Sequence, residues 1–244
     1  MRWLRIARLA LHLARGLFTA AFLFPFQSQA TRDREIGEWA AGVLDILALR
    51  LTVHGELVKA RPLMLVANHV SWLDIFAMQS VAPVRFVAKS EVRRWPLVGW
   101  LSARAGTLFI EQSRRHDTLR INKLVGESLR SGEVFAVFPE GTTTDGSRLL
   151  KFHASLLAPA LQVGATLQPA AIRFTREDGT LCTEAAFDGV RSVWDVVLGV
   201  TRHRTVNVSL TFMPPLATDG YHRRELATYA REAIRLTLGL GPSE

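Results

Sequence analysis

The chain has 244 residues, 48% of them apolar and 21% charged, which is enough to bury one sizeable core and too apolar for a disordered chain. Its formal net charge of +8 points to anionic partners, and its single cysteine, Cys182, excludes an internal disulfide. Seven histidines stand apart with no H-x-x-H spacing and no C-x-x-C pair, so no metal site is expected.

The first 26 residues carry Arg2, Arg5, Arg8 and Arg15 and no acid, which is half of the net charge. Trp3, Leu4, Ile6, Leu9, Leu11 and Leu13 lie between these arginines, and "GLFTAAFLFPF" follows. At about 100° per residue, Arg2, Arg5, Arg8, His12 and Arg15 share one helix face and large apolar side chains take much of the rest. That is the pattern of a helix lying in the headgroup layer of an anionic membrane surface. The apolar interleaving argues against nucleic acid as the partner of this charge. The uncharged stretch from Gly16 to Thr31 contains Pro25 and is short for a span. The charges run too far into the chain for a signal peptide. A surface or re-entrant anchor and a single N-terminal span both remain open.

Ile36 to Leu49 has helical spacing and can form a hairpin with the first helix. Residues 1–49 are therefore expected to be membrane-associating helices, and residues 50–244 one larger domain. Beyond them strand and helix patterns alternate. Strands are predicted at Leu51–His54, Leu63–Ala67, Val84–Ala88, Thr107–Ile110, Val134–Phe138, Leu167–Phe174 and Val206–Met213. Helices are predicted over 117–130, Phe152–Val163, Ser192–Val200 and 222–238. This alternation predicts an α/β fold: a mixed β-sheet flanked by helices in αβα layers, with its chemistry at loops beyond strand ends.

Four clusters fall at such loops. "ANHVSWLD" (67–74) places His69 just past a strand and Asp74 five residues on. The two can meet only if His69 lies in the loop and the helix begins near Ser71, a good N-cap. Asp74 then orients the ring, and the other ring nitrogen can take a proton from a hydroxyl. The plainer reading is that Ser71-x-x-Asp74 is a capping box. "VFAVFPEGTTTDG" (134–146) ends a strand at Pro139 and presents Glu140, Gly141 and Thr142, a close-approach turn with hydroxyl donors. "GTLFIEQSRR" (106–115) delivers Arg114 and Arg115 to a loop, where guanidinium forks suit phosphate or carboxylate. Lys89 ends another strand as a possible anion contact. There is no G-x-S-x-G elbow and no glycine-rich phosphate loop.

In order and spacing these stretches resemble the glycerolipid acyltransferase family, typified by the bacterial 1-acylglycerol-3-phosphate acyltransferase. Asn68-His69 through Asp74 matches its N-H-x-x-x-x-D motif, and Gly106 to Glu111, with Phe109, resembles G-x-x-F-I-x-R. Phe138 to Thr142 matches F-P-E-G-T, and "LQPAAI" (167–172) matches a proline-centred strand. The resemblance covers about residues 50–215. It implies His69 as general base and Asp74 as its orienter, with no acyl-enzyme. It implies that Phe138 to Thr142, including Glu140, Gly141 and Thr142, and a basic residue of the second motif hold the acceptor phosphate. Gly106, Phe109, Arg114, Arg115 and Lys89 complete the expected acceptor contacts. The implied donor is acyl-CoA or acyl carrier protein, with no cofactor beyond it. The implied place is the cytoplasmic face of the bacterial inner membrane.

One departure stands out: Gln112 occupies the motif's arginine position. The first acceptor expected is 1-acylglycerol-3-phosphate, giving phosphatidic acid. The alternative is a lyso-ornithine lipid, which offers a carboxylate and an amine in place of a phosphate monoester. A non-catalytic basic membrane-binding protein would account for residues 1–49 and leave the motifs as coincidence.

Overall fold

The computed structural model describes residues 2–110, 115–187 and 189–241. The apolar runs become one eight-stranded sheet built from β1 (Leu49–His54), β2 (Leu63–Ala67), β3 (Val84–Lys89), β4 (Leu108–Ile110), β5 (Val134–Val137), β6 (Thr166–Thr175), β7 (Val206–Phe212) and β8 (Leu216–Ala217). The order is β1-β7-β6-β2-β5-β3-β4, with β8 pairing the start of β6. Only the β6–β7 and β6–β8 pairs are antiparallel. All seven predicted strands are present with ends within two residues, and the short β8 was not anticipated.

The helices are α1 (Arg2–Phe18), α2 (Gln29–Leu47), α3 (Leu73–Gln79), α4 (Ser90–Arg93), α5 (Val98–Arg104), α6 (Arg115–Arg130), α7 (Ala158–Gln162), α8 (Val193–Val200) and α9 (Arg223–Thr237). The helix expected over Phe152–Val163 is instead a 3-10 turn, Ala154–Leu157, followed by α7. Pro159 is the reason: its missing N–H suits the first turn of a new helix and cannot continue an old one.

Side-chain alternation splits the sheet between two cores. Leu63, Leu65 and Ala67 of β2 face a layer that includes Val43 and Leu47 of α2, Leu73 and Ala77 of α3, and Val196 and Val200 of α8. Met64 and Val66 face the opposite layer with Ile121 and Val125 of α6, Ala160 of α7 and Leu226 and Ala230 of α9. Every residue of β2 is buried, as a central parallel strand requires.

α1 and α2 form the expected hairpin. The His12 ring stacks on Trp39 with centroids 5.3 Å apart, and Trp39 Nε1 donates to His12 O at 3.0 Å. Glycine makes this contact possible, because a Cβ on Gly16 would come 2.5 Å from Trp39 Nε1 and one on Gly42 2.5 Å from His12 Cε1. The orientation of α1 differs from the headgroup-facing arginine stripe expected. Arg5 donates to His203 O at 2.9 Å and Arg204 O at 2.8 Å, so part of the polar face docks on the domain. Trp3, Leu4, Leu11 and Phe18 are left exposed. The helix continues through a π turn, Thr19–Leu23, and a 3-10 turn at Pro25, where Phe22 and Phe26 are also exposed. By length and composition the whole helical run Arg2–Phe26 is apolar enough to cross a membrane.

Candidate active site

β2 pairs with β6 as far as Ala67↔Ala170. One residue on, the Asn68 side chain takes over the ladder. Its Oδ1 accepts from Ile172 N at 2.8 Å and its Nδ2 donates to Ile172 O at 2.9 Å. A backbone continuing the strand would have made the same pair of bonds. The chain is thus free to leave the sheet at His69 while staying pinned to it. Asn68→Ala strands a buried N–H and a buried C=O on β6, so the fold should lose about 2–3 kcal/mol. Urea unfolding of the purified variant measures this.

The expected meeting of His69 and Asp74 occurs. His69 Nδ1 lies 2.8 Å from Asp74 Oδ2, and that same oxygen accepts Val70 N at 2.8 Å and Ser71 N at 2.9 Å. An ionised carboxylate is acceptor-only, so Nδ1 carries the proton and the neutral ring keeps its lone pair on Nε2. Asp74 is fully buried, whereas the imidazole retains 20% of its surface. The ring lies on Phe138 with centroids 4.0 Å apart and planes 12° apart, and Phe138 in turn stacks on Phe86. The bond to the buried Asp74 carboxylate, itself fixed by two backbone N–H groups, and an aromatic floor therefore set the ring's position. The capping reading needs one correction. α3 begins at Leu73 with Trp72 as its N-cap, and Ser71 Oγ finds no partner among the described residues. The hydroxyl does not cap; the Asp74 carboxylate collects the loop's N–H groups by itself.

Glu140 is placed otherwise than expected of a substrate contact. It is 3% exposed, Oε1 accepts His69 N at 2.8 Å and Oε2 accepts Leu150 N at 2.9 Å. Burial pushes its carboxyl above the ordinary carboxylate range, while the Leu150 and His69 N–H bonds pull it back. Thr144 N also donates to His69 O at 3.0 Å. The loop after β5 thus grips the His69 backbone at both its N–H and its C=O, and Glu140 acts by positioning. Gly141 turns this loop with φ of 71°, where a Cβ would be strained, and Thr142 is exposed. Farther along, Phe187 N donates to Val70 O at 2.9 Å, and Thr143 Oγ1 donates to Phe187 O. A strap from 187 thereby joins the same cluster.

The remaining sequence candidates separate. Phe86 pairs with Ala136, so Lys89 three residues on reaches the sheet edge that carries His69 and Glu140, and it is exposed there. Gly106 lies toward the opposite end of the strands, before β4. Its φ is +81°, and a Cβ would sit 2.7 Å from Arg85 Nη1. Arg85 needs that space to reach Asp33 at 3.0 Å and Glu133 at 3.1 Å. Phe109, on edge strand β4, pairs with Ala88 beside Lys89 and carries the Arg93 guanidinium 5.8 Å above its ring. Arg114 and Gln112 lie outside the described residues, as does the side chain of Arg115, the first residue of α6.

The positioning role of Asn68 had no assignment from the sequence. Phe138 and Thr144 stand in the stretch expected to meet the acceptor phosphate, and in the structure the Phe138 ring supports the imidazole while Thr144 N holds His69 O. The partners of all three lie far along the chain, and for Asn68 its place at a strand end was the local signal.

Cys182 is no nucleophile here. Burial, then the neighbouring Glu184, push its thiol up to about 11, so it stays protonated near neutral pH. Cys182, Glu184 and His203 do place ligand atoms within 4.8 Å of one another. The Glu184 carboxylate is nevertheless held by Arg176 Nη2 at 3.0 and 2.8 Å, so a structural ion pair accounts for it.

The topology explains the site's location. The helix after β2 joins the first core and the segment after β5 joins the second. Neighbouring strands whose chains depart to opposite faces make a topological switch point at their carboxyl ends, where such sheets gather their chemistry, and His69 and Glu140 stand there. Fold and site together define an α/β protein with a carboxylate-oriented histidine, equipped to accept a proton from a hydroxyl.

A protein-family model described as Acyltransferase matches residues 50–173, and the chain belongs to that acyltransferase family. It is 38% identical to the lyso-ornithine lipid O-acyltransferase of Pseudomonas aeruginosa over 96% of this chain and 92% of that protein. It is also 38% identical to the 1-acyl-sn-glycerol-3-phosphate acyltransferase of Neisseria meningitidis over 84% of this chain and 81% of that protein. Its fold matches the crystal structure of PlsC from Thermotoga maritima with a TM-score of 0.67 at 21% identity, over all of both chains.

Proposed function

We propose that this chain moves a fatty-acyl group from an acyl thioester, acyl-CoA or acyl carrier protein, to the free hydroxyl of a lysolipid. The observation that carries it is the 2.8 Å His69–Asp74 pair, with the ring fixed on Phe138. His69 Nε2 takes the hydroxyl proton as the oxygen attacks the thioester carbonyl carbon. Collapse of the tetrahedral intermediate breaks the C–S bond, and the imidazolium proton passes to the departing sulfur. The products are the acylated lipid and a thiol, and no metal or further cofactor enters these steps. Asp74 holds the tautomer and offsets the charge that forms on the ring.

Residues 50–244 carry this chemistry, and residues 1–49 hold the chain to an anionic membrane, at the cytoplasmic face of the bacterial inner membrane. The exposed Trp3, Leu4, Leu11 and Phe18 support that placement.

For the acceptor, the near full-length match to the Pseudomonas aeruginosa relative and the neutral Gln112 favour a lyso-ornithine lipid. The Neisseria meningitidis relative supports 1-acylglycerol-3-phosphate as the second reading, with Arg114, Arg115 or Lys89 meeting the phosphate. The test offers the purified full chain palmitoyl-CoA with each acceptor, follows thiol release and weighs the lipid products by mass spectrometry. Acylated ornithine lipid is the expected product. Phosphatidic acid alone establishes the second reading. Thiol release that never depends on a lysolipid overturns both.

A further inference from the structure

Residues 89–104, the crossover from β3 to β4, have an inner and an outer side of different character. On the inner side the Trp95 ring meets Phe187 edge-on, centroids 6.1 Å apart, and Phe187 N is bonded to Val70 O beside His69. On the outer side Leu97 is 58% exposed, Val98 39% and Trp100 39%. Leu97 sits there at φ of 64°, a conformation that costs a non-glycine residue about 1–3 kcal/mol. Lys89, Arg93, Arg94 and Arg104 accompany these residues against one acid, Glu91, and the Arg104 guanidinium lies 5.2 Å from the Trp100 ring. Exposed aromatic and aliphatic side chains among cations are the composition of a surface that meets anionic headgroups.

This patch is continuous with the N-terminal helix. A shallow groove of about 450 Å³ is lined by Leu17, Phe18, Ala21 and Phe22 on one side and by Leu97 and Trp100 on the other. The π turn Thr19–Leu23 supplies Ala21 and Phe22 to it. Two segments some 80 residues apart in sequence thus present one apolar surface, rimmed by positive charge.

We propose that Leu97, Val98 and Trp100 form a second membrane-contact element, inserting into the same anionic phospholipid leaflet as Phe18 and Phe22. The chain is then held to the bilayer at two points. The second is tied through Trp95 and Phe187 to the loop that carries His69, so membrane contact and the catalytic loop share one rigid connection. The proposal rests on the membrane-surface reading of residues 1–49.

The test labels the full chain with an environment-sensitive fluorophore at Leu97→Cys, at Phe22→Cys and, as a control on the opposite core's side, at Leu236→Cys. Native Cys182 is 1% exposed and stays unlabelled. Vesicles containing phosphatidylglycerol should raise and blue-shift emission severalfold at 97 and 22 but not at 236. A response at 22 without one at 97 overturns the second element and leaves the anchor reading standing. Silence at both overturns both. A shift at 97 that follows protein concentration without vesicles would mean that a second copy covers the groove, and the proposal falls. In parallel, the Leu97→Asp/Trp100→Asp chain should bind these vesicles at least about tenfold more weakly. Unchanged binding would also overturn the proposal.

Discussion

His69→Ala should lower acyl-transfer turnover by about 10²–10⁴-fold, the span a positioned general base supplies. The fold should barely register the change. Asp74 Oδ2 loses the ring but keeps Val70 N and Ser71 N, and Asn68 still pins the loop to β6. What disappears is a partly exposed ring resting on Phe138, a loss of about 1 kcal/mol. Initial rates of thiol release, set beside a urea titration, separate the two effects. Turnover near the unmodified level would end the general-base assignment.

Asp74 should yield two different losses depending on the substitution. In Asp74→Asn an amide oxygen can still accept the Val70 and Ser71 N–H groups, so stability should hold within about 1 kcal/mol. The charge that fixes Nδ1–H and offsets the imidazolium is gone, and turnover should drop about 10²–10⁴-fold. In Asp74→Ala the buried Val70 N and Ser71 N and the partly exposed His69 ring lose their acceptor, at about 1–3 kcal/mol for each buried donor left unmet, and the variant should unfold at clearly lower urea. If Asp74→Asn were active and Asp74→Ala merely unstable, the carboxylate would be a loop cap and nothing more.

The contrast between Asp74 and Glu140 shows where sequence reading stops. Both were singled out as carboxylates beside a strand end. Asp74 was legible as the partner of His69 because five residues and a loop-to-helix transition allow few alternatives. Glu140 was expected to face the substrate. Its partner His69 N is 71 residues away, and only the pairing of β2 with β5 brings them together. Asn68 is similar, since its bonds reach Ile172, 104 residues on. The matched motif Gly106 had a reason of another kind altogether: room for Arg85 toward the opposite end of the strands.

By itself the sequence determined the seven main strands, the α/β alternation and the histidine–carboxylate pair. Each of these depends on neighbours within a few positions, where apolar period, turn residues and loop length act directly. Tertiary structure decided the rest. It set which strands lie side by side and so which loops meet beyond their carboxyl ends. It turned Arg5 and His12 of α1 inward and left the apolar side chains out. It also brought Phe18 and Phe22 against Leu97 and Trp100. Those outcomes depend on which surfaces exclude water together, and no local window of the chain contains that information.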